Sequence, residues 1–144
     1  MNARNRMLAD LRERIPEVDP GEAETLLDFG AALVDVREPE EIAQGSPRGA
    51  HRLGRGYLEL EIEDAIPDTD RTVLCLCSGG VRSLFAADSL RRMGYRDVRS
   101  VAGGFNRWKD EGRAFEIPRV LDADARAQSS LRSFFSYLGF KNST

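Results

Sequence analysis

The feature that most constrains the fold is a strand–loop–helix segment in the middle of the chain, residues 72–93. Residues 72–76 form an apolar run of buried-strand length that is rich in strand formers. Residues 83–93 carry apolar side chains at helical spacing. A tight loop with two glycines, Gly79 and Gly80, lies between them and opens with Cys77. This order is typical of a parallel sheet in which a loop follows the carboxyl end of a central strand.

Strands and helices alternate along the rest of the chain as well. Strands are predicted at 15–18, 31–36, 50–53 and 97–101, and helices at 4–14, 19–29, 39–43, 57–66 and 104–112. The alternation predicts an α/β fold with a mostly parallel central sheet flanked by helices on both faces. We divide the chain into an N-terminal helical extension at 1–14, a domain at 15–118 and a C-terminal helical extension or tail at 119–144.

Composition and charge exclude several classes of protein. The net charge of -3 and the lack of a dense basic stretch argue against a nucleic-acid partner. No apolar run approaches the roughly 20 residues that span a bilayer, so no membrane partner is expected. The two cysteines are two positions apart and cannot form a disulfide framework, which favours a reducing, cytoplasmic location. Two cysteines and one histidine form no zinc set, so we predict no metal, and no cofactor is implied.

An apolar stripe near the C-terminus belongs to a predicted helix, with Leu131, Phe134, Phe135 and Leu138 on one face. The favoured interpretation is a terminal helix that packs on the domain or on a second copy of the chain, which would make a dimer. A helix that binds another partner or a membrane surface is the alternative.

The loop after the central strand has the properties of an anion cradle around a nucleophilic sulfur. Its glycines allow positive φ, and the first amides of the following helix have no intrahelical partner. These groups should hold Cys77 as thiolate, the reactive form, in a position that solvent and a donor can reach. Arg82 adds a cation at the mouth that would receive an anionic donor. The predicted substrate-binding residues are Ser78, Gly79, Gly80, Val81, Arg82 and Ser83.

Three motifs, in order and at fitting intervals, make residues 15–118 resemble a single rhodanese (sulfurtransferase) domain. Their matching residues are Cys77, Gly80, Arg82 and Ser83 in Cys-x-x-Gly-x-Arg-Ser; Asp35, Val36, Arg37 and Glu41 in Asp-Val-Arg-x-x-x-Glu; and Gly103, Gly104 and Trp108 in Gly-Gly-x-x-x-Trp. One segment departs from the family: Ser46 and Pro47 stand where its Gly-His-Ile-x-Gly-Ala pattern has His and Ile. The segments 56–60 and 115–119 also resemble the rhodanese modules of enzymes that activate ubiquitin-like sulfur-carrier proteins.

The resemblance implies a thiosulfate:cyanide sulfurtransferase. In such an enzyme Cys77 would take a sulfane sulfur from thiosulfate or a persulfide donor and become a persulfide. The sulfur would then pass to a thiophilic acceptor, a small molecule or a protein such as a sulfur carrier. The expected partners are therefore a small anionic sulfur donor and an acceptor of this kind.

Several neighbouring residues receive supporting or structural interpretations. Asp35 is expected to order nearby backbone, and Arg37 to pair with an acid near the loop, with substrate contact as the alternative. Cys75 is expected to be a small buried hydrophobe, with a resolving thiol as the alternative. His51 is interpreted as a partly buried loop residue and its pairing with Cys77 as the less favoured alternative. Arg55 is expected at the surface, with a place at the fringe of the entrance as the alternative. Trp108 is expected in the core, with substrate contact as the alternative.

Two other classes of function stay open at this stage. Cysteine phosphatases, and arsenate reductases, also place a Cys loop ending in Arg at a helix N-terminus. A phosphatase loop is one residue longer, because it surrounds a tetrahedral phosphate, whereas four residues separate Cys77 from Arg82 here. A non-catalytic binding module is the third class, and it is disfavoured because the cysteine is present.

Overall fold

The computed structural model describes residues 1–118 of the chain. The C-terminal helix predicted at 119–144 lies outside the described residues. The helices of the described part are α1 (Ala3–Arg14), α2 (Pro20–Asp28), α3 (Pro39–Ile42), α4 (Leu58–Ala65), α5 (Arg82–Arg92) and α6 (Gly104–Asp110). Its strands are β1 (Glu17–Val18), β2 (Ala32–Asp35), β3 (Ser46–Pro47), β4 (His51–Arg52), β5 (Val73–Leu76), β6 (Val98–Val101) and β7 (Phe115–Glu116).

Five of the strands form a parallel sheet in the order β1-β6-β5-β2-β4. The strand that precedes Cys77, β5, lies in the centre and pairs with β2 and β6. The carboxyl ends of β2, β5 and β6 therefore meet at one edge, which is where open parallel sheets place their ligand sites. The predicted fold class, an α/β protein with a mostly parallel central sheet, is confirmed.

Helices cover both faces of this sheet, because the strands are apolar on both sides. Cys75 and Cys77 face a core cluster that includes Leu11 of α1, Ile62 of α4 and residues of α5. Leu74, on the opposite face of β5, packs in a second cluster with residues of α2 and α6. A strand buried on both faces is continuously apolar, and this explains the run at residues 73–76.

Local signals in the sequence agree with several helix boundaries. Asp19 caps α2, where its side chain accepts a hydrogen bond from the amide of Glu22 at 2.8 Å, and Pro20 occupies the first helical position. The helix predicted at 4–14 is α1, and its Leu11 is buried in the main core.

A second, two-stranded antiparallel sheet was not predicted. It pairs β3 with β7, in the register Ser46 to Glu116 and Pro47 to Phe115. No strand was predicted around β3, yet the pair forms, and Phe115 packs edge-on against Phe105, with ring centroids 5.6 Å apart. In residues 1–118, no helix is both long and apolar enough to cross a membrane.

Candidate active site

The Cys77 loop connects the central strand β5 to helix α5. Its sharp turn depends on Gly80, which has φ +94°, a value that side-chain-bearing residues rarely adopt. A Cβ atom on Gly80 would also lie 3.0 Å from the backbone nitrogen of Gly103. Gly80 is therefore needed both for the turn and for the close approach of the loop to the residues before α6.

The sulfur of Cys77 is surrounded by hydrogen-bonding groups from its own loop. The amide of Gly80 donates to Sγ at 3.1 Å and that of Ser83 at 3.4 Å, and the thiol lies 3.3 Å from the Ser83 hydroxyl, to which it donates. Ser83 is the second residue of α5, so its amide has no intrahelical partner and the helix dipole favours negative charge beside it. Two amides of the predicted set at 78–83 thus face the sulfur, and the arrangement suits a thiolate.

The N-terminus of α6 supports the loop from behind. The amide of Phe105 donates to the carbonyl of Cys77 at 2.7 Å, and that of Asn106 donates to the carbonyl of Ser78 at 3.0 Å. A Cβ atom on Gly104 would lie 2.3 Å from the Cys77 carbonyl oxygen, so only glycine allows this approach. By binding the carbonyl oxygens, α6 leaves the amides of the loop facing the sulfur.

Glu41, from α3, joins the two ends of the Cys77 loop. Its carboxylate accepts two hydrogen bonds from the Arg82 guanidinium, both at 2.7 Å, and one from the Ser78 hydroxyl at 2.5 Å. Arg82 also donates to Ser78 Oγ at 3.1 Å. The hydrogen bond from Arg82 is the main cause that lowers the pKa of Glu41 from 4.5 to about 2, so this ion pair persists at neutral pH.

Asp35 and Arg37 form a buried ion pair at the end of β2. The guanidinium of Arg37 donates to the Asp35 carboxylate at 2.8 and 2.9 Å and to the Gly45 carbonyl at 2.6 Å, and it lies 4.3 Å from the centre of the Phe105 ring. Asp35 also accepts a hydrogen bond from Ser46 at 2.8 Å. Because Arg37 is only 3% exposed, its position is that of a structural group bound to an acid, as the favoured interpretation expected.

The Cys77 thiol is less accessible than the sequence analysis expects. Only 1% of its surface is exposed, whereas Val81 in the same loop is 40% exposed and Gly79 is also exposed. The expectation of a readily reached sulfur is therefore wrong for this conformation, because the loop curls around the sulfur and Ser83 lies behind it.

The other thiol and the only histidine lie apart from this chemistry. Cys75 is fully buried, and burial raises the pKa of its thiol to about 12. His51 lies in the edge strand β4, where partial burial lowers the pKa of its imidazole below 6.5.

Arg55 and Trp108 are both held by contacts outside the Cys77 loop. Arg55 pairs with Glu59 at 2.7 Å. Trp108 is 3% exposed, and its indole donates to the Ala114 carbonyl at 2.9 Å.

Sequence reasoning missed three residues that shape the site. Glu41 was predicted only as a position of the family motif, without a role at the site, although its spacing in Asp-Val-Arg-x-x-x-Glu was the available signal. The same holds for Gly104. Ser100 was not singled out, although a serine within the apolar strand predicted at 97–101 is a signal that could have drawn attention to it.

The fold and the site together define an α/β domain with a cysteine loop between a central parallel strand and a helix. The family model for the rhodanese-like domain matches residues 19–111. The chain belongs to the rhodanese family.

The chain is similar to a named sulfurtransferase and to two proteins of solved structure. The thiosulfate sulfurtransferase GlpE of Haemophilus influenzae is 34% identical over 93 residues, which are 64% of this chain and 86% of that protein. Among solved structures, a protein of unknown function from Rhodopseudomonas palustris, described as a possible tyrosine phosphatase, matches with a TM-score of 0.73 and 29% identity, over 81% of this chain and 96% of that one. The polysulfide-sulfur transferase homodimer of Wolinella succinogenes matches with a TM-score of 0.68 and 26% identity, over 76% of this chain and 84% of that one.

Proposed function

We propose that this protein is a sulfurtransferase that carries a sulfane sulfur on Cys77. The observation that carries the proposal is the sulfur of Cys77 at the start of α5, with the amides of Gly80 and Ser83 donating to it. Amides in this position stabilise a thiolate before the reaction and a negatively charged outer sulfur after it. The names of the relatives, thiosulfate sulfurtransferase and polysulfide-sulfur transferase, support the same class of reaction.

The proposed reaction has two steps that balance without a cofactor or an external base. In the first, the Cys77 thiolate attacks the outer sulfur of thiosulfate, a new S–S bond forms, and sulfite leaves with the electron pair of the broken S–S bond. In the second, cyanide or an acceptor thiolate attacks the outer sulfur of the Cys77 persulfide. The acceptor–sulfur bond forms, and the Cys77 thiolate is regenerated. A persulfide donor would replace thiosulfate in the first step, with its thiolate as the leaving group.

Arg82 is proposed to receive the anionic donor, but it is bound to Glu41. A donor anion therefore competes with the Glu41 carboxylate for the guanidinium. The Arg82 and Glu41 side chains are 42% and 32% exposed, so solvent and a small anion reach the pair. We infer that displacement of this pair accompanies entry of the donor to Cys77.

A phosphatase is the rival class with an observation in its favour, the description of the Rhodopseudomonas palustris neighbour. A phosphatase loop surrounds a tetrahedral phosphate and is one residue longer, whereas only four residues separate Cys77 from Arg82. Incubation with an aryl phosphate tests this alternative, and we expect no hydrolysis. If the wild type released the phenol from the aryl phosphate and Cys77→Ser did not, the proposed class would be overturned.

Thiocyanate formation from thiosulfate and cyanide tests the proposed function. Cys77→Ser should abolish it, because a hydroxyl forms no persulfide. Cys75→Ser is the matched control and should keep most of the rate, because Cys75 is buried and stays a thiol at neutral pH. Activity retained in Cys77→Ser would exclude Cys77 as the nucleophile.

The acceptor and the location are proposed on chemical grounds. A thiol of an acceptor protein, such as a sulfur carrier, is the expected physiological acceptor, because the second step needs a nucleophile that attacks the outer sulfur of the persulfide. Both cysteines are free thiols and form no disulfide, which is typical of a reducing compartment, so we propose that the protein works in the cytoplasm.

A further inference from the structure

Two buried hydroxyl groups continue inward from the Cys77 sulfur. Ser83 Oγ lies 3.3 Å from Cys77 Sγ, and Ser100 Oγ lies 2.7 Å from Ser83 Oγ. The exposed fractions are 1% for Cys77 and 0% for each serine. The three side chains therefore form a row that water does not reach from the inner side.

Ser100 is held rigidly, because it lies in the strand β6 between two neighbouring strands. It is in register with Cys75 of β5 on one side and with Glu17 of β1 on the other, and its amide donates to the Pro16 carbonyl at 2.9 Å. Within residues 1–118, the bond to Ser83 is the only hydrogen bond that its hydroxyl makes.

The row can satisfy all of its hydrogens only when Cys77 is ionised. With a neutral thiol the three groups carry three hydrogens, and in either direction of the row one of them has no acceptor. With a thiolate, Ser100 donates to Ser83, Ser83 donates to the sulfur, and no hydrogen is left unpaired. A buried hydrogen without an acceptor costs free energy, so these hydrogen bonds act in favour of the thiolate.

We propose that Ser100 is a positioning residue, whose hydroxyl donates to Ser83 and thereby directs and polarises the Ser83 hydroxyl toward the Cys77 thiolate. The bond from Ser83 to a charged sulfur is charge-assisted, and a second donor behind it strengthens it cooperatively in this dry environment. The neutral thiol gains nothing comparable. Ser100 thus acts on the sulfur through Ser83 without touching it.

The charged and titratable groups around Cys77 stay the same when Ser100 is changed. They are Cys75 on β5 and Arg82 at the start of α5, with Glu41 on α3 bonded to Arg82. Ser100→Ala therefore changes no charge near Cys77, and an effect of Ser100 on the ionisation of Cys77 is left to pass through the hydroxyl row or through packing, which a double substitution separates. The inference rests on the proposed function only in taking Cys77 as the reacting thiol.

The test is the pH dependence of Cys77 alkylation by iodoacetamide, with Cys77→Ser as the blank. Ser100→Ala should raise the pH of half-maximal alkylation by about half a unit, about threefold in the ionisation equilibrium, while the limiting rate at high pH stays the same. Ser89→Ala is the matched control, because it removes a hydroxyl of α5 that bonds to Glu59 and not to Cys77. An unchanged pH of half-maximal alkylation in Ser100→Ala would overturn the proposal.

A double substitution distinguishes action through Ser83 from a general effect on packing. Ser83→Ala should shift the alkylation profile more than Ser100→Ala, and adding Ser100→Ala to Ser83→Ala should shift it no further. Additive shifts would contradict a pathway through Ser83. Because alkylation requires no sulfur donor, these results can be read even if thiocyanate formation fails, and the two proposals therefore fail separately.

Discussion

Glu41 and Arg82 form a two-point ion pair that spans the Cys77 loop, with Arg82 Nη1 and Nη2 each 2.7 Å from one oxygen of the Glu41 carboxylate. The cation that the sequence assigns to an incoming donor is thus already bound to an acid of the same chain. Because the proposed donor competes with Glu41 for Arg82, the strength of this pair sets how tightly a small anion binds there.

Removing the charge of Glu41 should make thiosulfate a better donor. In Glu41→Gln, Arg82 loses its anionic partner, so thiosulfate no longer competes with a carboxylate for the guanidinium. We expect the KM for thiosulfate to fall by about threefold to tenfold while kcat changes little. Steady-state thiocyanate formation measures both constants. Glu40→Gln removes the same charge from an exposed neighbouring position and should leave KM unchanged. A higher KM in Glu41→Gln would show that the pair is needed to bind the donor.

Removing Arg82 should have the opposite effect, for two reasons. Arg82→Ala deletes the cation and also leaves the Glu41 carboxylate unpaired beside the entrance, where it repels an anion. We expect the KM for thiosulfate to rise by about tenfold or more, and the double variant Glu41→Gln with Arg82→Ala to recover part of the loss. A double variant no better than Arg82→Ala would mean that repulsion by Glu41 plays no part.

The stability contributed by Glu41 should depend on pH only in acid. Its pKa is about 2 in the folded protein and about 4.5 when free, so folding favours the ionised form. The contribution is complete above the free value and is lost as the pH falls from about 4.5 toward 2. Since both partners are partly exposed, we expect about 1 kcal/mol between the wild type and Glu41→Gln at pH 7. Urea unfolding from pH 7 to pH 3 measures it, and a difference that grows in acid would contradict this sign.

Gly104 should not tolerate substitution, because the backbone of the Cys77 loop lies directly against it. In Gly104→Ala the new Cβ would lie 2.3 Å from the Cys77 carbonyl oxygen, in a residue with φ +56°. We expect a loss of about 3 kcal/mol and of most sulfur transfer, since the loop has to move. Gly112→Ala is the control, because its φ is +74° but nothing lies within 4 Å.

The control separates backbone strain from the clash. Gly112→Ala should cost about 1 kcal/mol, the usual cost of alanine in the left-handed region, and should keep its activity. Chemical unfolding and thiocyanate formation are measured on both variants. Equal loss of stability in the two would mean that contact with the loop is unimportant.

The buried pair of Asp35 and Arg37 should matter for stability far more than an exposed pair does. Asp35→Asn leaves a buried guanidinium without its carboxylate, and we expect a loss of about 3 kcal/mol in the free energy of unfolding. Asp97→Asn breaks a partly exposed pair with Arg99 and should cost about 1 kcal/mol or less. Similar values for the two variants would show that burial of Arg37 is not what makes its pairing important.

The sequence was informative where the signals are local. The apolar run before Cys77, the glycines after it and the helical spacing at 84–93 sufficed to predict β5, the loop and α5, because each signal acts within a few residues. Asp19 and Pro20 identified the start of α2 for the same reason. Alternation of such elements was enough to predict the parallel sheet.

The features that were missed depend on contacts between distant residues. The strands β3 and β7 have two residues each, too few for any periodicity, and their pairing depends on Phe115 packing against Phe105. The partner of Arg82 lies 41 residues away, and several acids were candidates before the fold was known. The burial of Cys77 follows from the curl of the loop and the packing of Ser83 and Ser100, which no single segment encodes.

The most direct measurement of the central claim is the intact mass of the protein after exposure to thiosulfate and removal of excess donor. We expect the wild type and Cys75→Ser to gain the mass of one sulfur atom, to lose it on addition of cyanide, and Cys77→Ser to gain nothing. An unchanged mass in the wild type, or an equal gain in Cys77→Ser, would contradict sulfur transfer through Cys77.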